Sequence, residues 1–210
     1  DGPADLSAVP ERVTVPRMRQ PPVIDGRIAE PEWRAAVSLS GLHTLRGGVL
    51  SPRQTVGWIG FDGPYLYVAV RTRMREGETP SYRSRRDDMA SVTEGGLEMR
   101  VHVPRQRQAA SGQEVGAYLF IVNHGGTVSH AIEAKNIGQT LTQWNPQCTT
   151  ESSFADGVWE MEMAVDTTTM LPGGYVEGEV WRLMMAGNFT SPWKQASLSV
   201  PFMQTLDLDL

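Results

Sequence analysis

Cysteine is nearly absent from these 210 residues: Cys148 stands alone. No intramolecular disulfide can form, and a lone cysteine reads as a small buried apolar residue. It leaves the redox compartment unspecified. Lysine is almost as scarce. Lys135 and Lys194 are the two lysines, so the positive charge is carried by arginine, whose planar fork suits paired hydrogen bonds. The balance is acidic, with a net charge of −5, and nucleic acid is not an expected partner. No apolar run reaches the roughly 18 residues of a membrane-spanning helix, so no membrane insertion is expected. The first residues contain no basic stretch followed by an apolar one, the pattern of a signal peptide. Long amphipathic helices, internal repeats and low-complexity tracts are missing. So are H-E-x-x-H, G-x-S-x-G and the P-loop, the sequence marks of common hydrolytic and nucleotide chemistry.

What is present is a series of short, alternating, turn-bounded runs. With 40% hydrophobic residues, the chain can bury one sizeable core. Residues 1–11 are polar and read as a linker or tail; 12–210 read as a single domain. Arg12–Val15 is a short first strand. Arg53–Phe61 and Tyr65–Thr72 flank Asp62-Gly63-Pro64 and form a hairpin. Leu97–Val103 places Leu97, Met99, Val101 and Val103 on one face and Glu98, Arg100 and His102 on the other, a half-buried strand. Ala117–Asn123 and Thr127–Ile132 flank the turn signal His124-Gly125-Gly126. Gln143–Thr150 and Trp159–Val165 form a further pair, with a turn at Ala155-Asp156-Gly157. Thr167–Leu171 reads as one helical turn. Glu179–Met185, Ala196–Val200 and Thr205–Leu210 are the remaining strands, the last expected at a sheet edge. The loops Met74–Gly96, Pro104–Gly116 and Gly187–Gln195 are polar; loops this long in a compact domain tend to carry function. The predicted class is all-β: a β-sandwich of two antiparallel sheets with one short helical turn near the N-terminus.

The most specific stretch is Pro21-Pro22-Val23-Ile24-Asp25-Gly26-Arg27-Ile28-Ala29-Glu30-Pro31-Glu32-Trp33. Asp25-Gly26 is a tight turn, and Pro31 suits the first position of a helix. A short strand, a turn and a helical turn ending in Trp33 read as a plug closing one end of the sandwich.

This segment resembles the opening signature of family 9 carbohydrate-binding modules and their DOMON-like relatives. Further stretches resemble the family in the same order: VGWIGFDGPYLYVAVRT, DDMASVTEGGLEMRV, AYLFIVNHGGTV, WNPQCTTESSFADGVWEMEMAVD and GEVWRLMMAGNFTSPWKQASLSV. The resemblance covers roughly residues 20–202. It implies a two-sheet β-sandwich, often with bound calcium, in which two Trp rings sandwich a terminal sugar. Trp193 fits the second ring. Tyr82 is the aromatic nearest the first ring's place, and Glu98 matches the family's Glu in its V-E-I strand. Met184 stands where the family's closing pattern commonly has Asn. Asn188, Arg86, Lys194, Gln195 and Asn123 complete the candidate carbohydrate contacts. Asp87 and Asp88 are the candidate metal ligands, with structural calcium as the expected ion, because hard oxygen donors suit it.

The chemistry agrees with the resemblance. A sugar offers C–H faces that match an aromatic ring and hydroxyls that match planar polar groups. Covering about 100 Å² of ring contributes roughly 2.5 kcal/mol. With charged hydrogen bonds adding on the order of 1.5–3 kcal/mol each before the costs of binding are subtracted, that predicts affinities of about millimolar to micromolar. The expected function is therefore non-catalytic recognition of a poly- or oligosaccharide. The module would be tethered to other domains of a larger exported glycan-active protein, bacterial, at a secreted, periplasmic or cell-surface location. Two alternatives stand beside it. One is a structural or interaction sandwich without sugar binding. The other is a haem-binding DOMON-like redox domain with Met and His or Lys ligands; the strand periodicity of Met99, Met161 and Met163 assigns those three to the core instead. As for Trp, the periodic positions of Trp33, Trp58, Trp159 and Trp181 mark them as core, and Trp144 is read the same way. Asp87, Asp88, Glu94 and Glu98 form the densest acidic group. They read as solvated charge or a calcium site rather than a catalytic pair.

Overall fold

Period-two alternation builds both layers of the molecule. The computed structural model describes residues 12–44, 53, 55–80, 82–85, 94–105, 114–134, 140–141, 144–188 and 202–209, with only the backbone described at 43–44, 140–141, 188 and 202–209. The strands are β1 (Arg12–Thr14), β2 (Val37–Leu39), β3 (His43–Thr44), β4 (Thr55–Asp62), β5 (Tyr65–Arg73), β6 (Gly96–His102), β7 (Val115–Asn123), β8 (Val128–Ala134), β9 (Thr140–Leu141), β10 (Cys148–Ala155), β11 (Val158–Asp166), β12 (Val180–Asn188) and β13 (Phe202–Asp209). Two four-residue helices complete the elements, α1 (Glu30–Trp33) and α2 (Thr167–Met170).

The strands form an eight-stranded sheet in the order β1-β13-β12-β6-β7-β8-β9, with β3 also on β13, and a five-stranded sheet in the order β10-β11-β5-β4-β2. Leu97, Met99, Val101, Phe120, Val122, Trp181, Leu183 and Met185 from the first sheet meet Ile59, Phe61, Leu66, Val68, Val70, Trp159, Met161, Met163 and Val165 from the second in one shared core. The predicted two-layer sandwich is therefore the fold. Met99, Met161 and Met163 are fully buried in it, as their spacing requires.

Several expectations are corrected. The last strand is not at an edge: β13 lies between β1, to which it is parallel, and β12, to which it is antiparallel. Alternating Leu and Asp identified a strand but carried no information about which neighbours it would find. The strand expected over Gln143–Thr150 instead begins at Cys148 and runs to Ala155, because its register with β11 is fixed by the tight turn at Asp156-Gly157. β12 continues to Asn188, into the expected loop, because β6 offers backbone partners as far as Gly96. The expected tail at 1–11 and strand at Ala196–Val200 lie outside the described residues.

The opening segment does not close an end of the sandwich. It covers the outer face of the five-stranded sheet, where Met18, Ile28 and Trp33 pack on Tyr67 and Ala69. There the small Ala69 sits on one rung between Trp58 and Glu162. α1 begins after Ala29 with Pro31 in its first turn, and it delivers Trp33 into this second layer at 2% exposure. Glu162, fully buried, ties the segment down: its Oε1 accepts the Trp33 indole N–H at 2.7 Å, and its Oε2 accepts the N–H groups of Asp25 at 3.1 Å and Gly26 at 2.9 Å. Gly26 has φ +81°, and a Cβ there would lie 2.8 Å from the Ser152 carbonyl carbon, so only glycine fits. Trp58 is accordingly half-buried in this outer layer rather than in the shared core, under the Arg71 guanidinium at 5.5 Å. Trp144 is partly buried against the core, with its ring 5.1 Å from Tyr118 and 5.4 Å from Phe120.

Candidate functional site

One carboxylate organises the end of the eight-stranded sheet at which β6 starts and β7 stops. Glu94 Oε1 accepts the backbone N–H groups of Arg83 at 2.6 Å and Ser84 at 2.9 Å. Its Oε2 accepts the Asn123 side-chain N–H at 2.9 Å. Asn123 Oδ1 in turn accepts the N–H groups of Gly125 at 3.0 Å and Thr127 at 3.1 Å, closing the β7–β8 turn. The segment carrying Tyr82 is thereby fastened to that turn. The Tyr82 ring rests on Gly125, where a Cβ would come within 2.3 Å of Tyr82 Cε2, and the ring remains 52% exposed. A Gly at this position of the sequence turn signal thus makes room for an aromatic ring as well as for the turn.

His124, inside the same turn, is buried with its ring 4.9 Å from that of Trp159, edge to face. Its backbone carbonyl accepts the Trp159 indole N–H at 3.0 Å and the Ser152 hydroxyl at 2.8 Å. Burial pushes the imidazole down to about 4; the Arg53 guanidinium acts in the same direction, against Glu78 and Glu94. His124 is therefore neutral near pH 7. Arg53 is itself held by Glu78 through two bonds of 2.7 Å.

The outer face of the eight-stranded sheet carries a second group. Arg100 pairs with Glu98 and reaches both Glu133 oxygens at 3.0 Å. On the intervening β7 and on β8, Leu119, Ile121 and Ala131 form their own buried cluster. Glu98 pairs in register with Ile121 on one side and Ala186 on the other. Two rungs nearer the sheet end, Gly96 lies between Asn123 and Asn188. The topology therefore draws Glu98, Asn123 and Asn188, which are far apart in sequence, to one end of three adjacent strands.

The predicted contacts have different fates. Tyr82 is exposed and positioned, and Glu98 is on the sheet's outer face with 22% of its side chain accessible. Asn123 is fully buried, and its carboxamide is engaged by the turn and Glu94, so it positions Tyr82 rather than meeting a ligand. Its place just before a Gly-Gly turn gives it this structural role. Asn188 is placed by its backbone only. Trp193, Arg86, Lys194 and Gln195 lie outside the described residues, as do the candidate metal ligands Asp87 and Asp88. Among the described residues no group of three or more His, Cys, Asp or Glu side chains could hold a metal ion.

Sequence reasoning passed over Phe154, Ser152 and Ser153. These residues lie at the end of β10, near the turn bearing His124 and Gly125, and with Tyr82 they line a cleft of about 340 Å³. Phe154 directly precedes the Ala155-Asp156-Gly157 turn, and that exposed aromatic was the one available signal.

The fold is the two-sheet sandwich seen in carbohydrate-binding modules of family 9. In particular, the chain resembles a family 9 carbohydrate-binding module from Caldicellulosiruptor kristjanssonii in complex with glucose, with TM-score 0.61 and 13% identity over 94% of this chain and 95% of that one. The same kind of module in complex with cellotriose matches with TM-score 0.60 and 12% identity over 94% and 93%. A Bacteroides uniformis protein with an inferred carbohydrate-binding role matches with TM-score 0.64 and 12% identity over 94% and 90%. At these identities the likeness is one of fold. No family model matches the sequence, and no curated protein matches it significantly.

Proposed function

We propose that the chain is a non-catalytic carbohydrate-binding module that recognises a poly- or oligosaccharide as part of a larger exported glycan-active protein. The observation that carries this reading is the fold correspondence, nearly end to end on both chains, with sandwiches whose solved structures hold glucose and cellotriose. Supporting it is the exposed Tyr82 ring, clamped by the Glu94–Asn123 pair at the sheet end beside Gly96 and Asn188, and the Glu98–Arg100–Glu133 row on the adjoining outer face. A sugar ring stacks on an aromatic face, while charged planar groups take its hydroxyls. In this reading Tyr82 and Trp193 supply the two rings. Glu98, Asn188, Arg86, Lys194 and Gln195 supply polar contacts, and Asp87 and Asp88 hold a structural calcium. The location is secreted, periplasmic or cell-surface.

Isothermal titration with glucose and cellotriose, together with retention on insoluble polysaccharides, tests the proposal. Dissociation constants between millimolar and micromolar are expected, weakened at least tenfold by Glu98→Ala. Absence of binding to every soluble and insoluble glycan overturns the reading in favour of a structural sandwich.

A further inference from the structure

We propose that the cleft lined by Tyr82 and Phe154, beyond the β7–β8 turn from the Glu98 face, is a second subsite for a neutral sugar residue. It rests on the reading of the chain as a carbohydrate-binding module and extends that site past Tyr82 to the end of β10, which that reading does not use. The cleft measures about 340 Å³. That is at the small end of the roughly 300–1,000 Å³ of ligand sites, with room for one or two sugar rings.

Its composition selects the ligand. Two rings enter it from separate segments, Tyr82 from the stretch before β6 and Phe154 from the end of β10. Both stay exposed, at 52% and 38%, although exposed large apolar side chains are few among the described residues. Ring faces match the C–H faces of a pyranose. Ser152, on the same side of β10 as Phe154, has its hydroxyl hydrogen already directed into the protein: its Oγ donates to the His124 carbonyl at 2.8 Å. The hydroxyl oxygen therefore keeps a lone pair as a fixed acceptor, which a sugar hydroxyl can donate to. Thr79 adds a hydroxyl at the rim.

Other ligand classes fit poorly. Among the described residues that line it there is no Asp, Glu, Lys or Arg, and the one titratable ring besides Tyr82, His124, is neutral near pH 7. An anion would find no cation there, and the Ser152 donor is occupied. A metal ion would find no carboxylate. A wholly apolar ligand would leave the Ser152 acceptor desolvated and unpaired. The walls are also rigid: the turn is closed by Asn123, and Gly26 and Gly126 approach the Ser152 backbone so closely that an added Cβ would lie 2.8 and 3.0 Å from it, so little ordering is left to be done on binding.

The test is a titration of the full chain with glucose and with cellotriose, followed by amide 15N–1H spectra. The amides of Gly125, Ser153 and Phe154 should shift, as a set separate from those of Leu97–Val101. Phe154→Ala should weaken the first set's apparent affinity at least tenfold and leave the second unchanged; Glu98→Ala should do the reverse. Phe154→Leu, which keeps apolar cover on the strand but removes the ring face, should behave like the alanine variant and guards against a folding defect. Because the described lining is uncharged, its affinity should stay constant as salt is raised. Shifts confined to the Glu98 face overturn the second subsite and leave the module reading intact. No shifts in either set at tens of millimolar sugar overturn both.

Discussion

Trp33 donates its indole N–H to Glu162 Oε1 at 2.7 Å, joining the opening segment to the middle of a sheet more than half the chain away. The bond lies in the second apolar layer, outside the five-stranded sheet, where Glu162 is fully buried. Trp33→Phe removes the donor and leaves a buried carboxylate oxygen unsatisfied. A loss of about 1–3 kcal/mol is expected, read as a lower urea midpoint at unchanged slope. A truncation to alanine adds a cavity and should cost about 3–5 kcal/mol.

Glu162 also gives a pH signature. Burial raises its carboxyl above 4.5, outweighing the bonds from Trp33, Asp25 and Gly26 that favour the charged form. Its folded-state value therefore lies above the unfolded one. The contribution is fully present below 4.5 and is lost as pH rises through the folded-state value. The stability of the wild type relative to Glu162→Gln should fall with rising pH across that window; a flat difference curve would contradict it.

His124 works in the opposite sense. Its folded-state value near 4 lies below the ordinary imidazole value of 6.5, so the folded state resists protonation. Stability is fully present above 6.5 and declines as pH falls towards 4. The linkage amounts to at most about 3 kcal/mol. His124→Phe keeps the backbone carbonyl that Trp159 and Ser152 use, and should abolish the decline. Chemical unfolding at pH 7, 6, 5 and 4 measures it.

Asn123→Asp keeps the Oδ1 acceptor for Gly125 and Thr127 but replaces the donor to Glu94 with an oxygen. Two buried oxygens then face each other. Destabilisation of about 2–3 kcal/mol at pH 7, partly relieved at pH 4, is expected. If Asn123 met the ligand instead of the turn, the variant would lose affinity with its melting temperature unchanged.

Trp193→Ala should abolish measurable sugar affinity and leave thermal stability nearly unchanged; a large drop in melting temperature would mark the ring as core. EDTA should lower the melting temperature, and Asp87→Asn with Asp88→Asn should remove that response. No effect of EDTA would dismiss a structural calcium.

Local pattern was enough for much of the fold. The alternation of Leu97–Val101 and Trp159–Val165 declared which side chains face the core, because a strand's period is two whatever it pairs with. Gly-containing turns at Gly63, Gly125-Gly126 and Gly157 marked the hairpins, because tight reversals need residues that tolerate unusual backbone angles. For the site, sequence named Tyr82, Glu98 and Asn123, which the fold places near one sheet end. It did not separate the exposed ring from the buried amide, since Asn looks the same whether its partners are sugar hydroxyls or backbone N–H groups. Phe154 went unnoticed because its neighbour across the cleft, Tyr82, is brought close only by folding.

The sequence by itself therefore determined the class of fold, its shared core and the opening segment's local shape, all consequences of short-range periodicity and turn chemistry. Tertiary structure alone decided where that segment docks, why β13 is interior and which polar groups remain free. Those outcomes depend on partners such as Trp33 and Glu162, or Asn123 and Glu94, whose meeting is set by sheet order and long-range register.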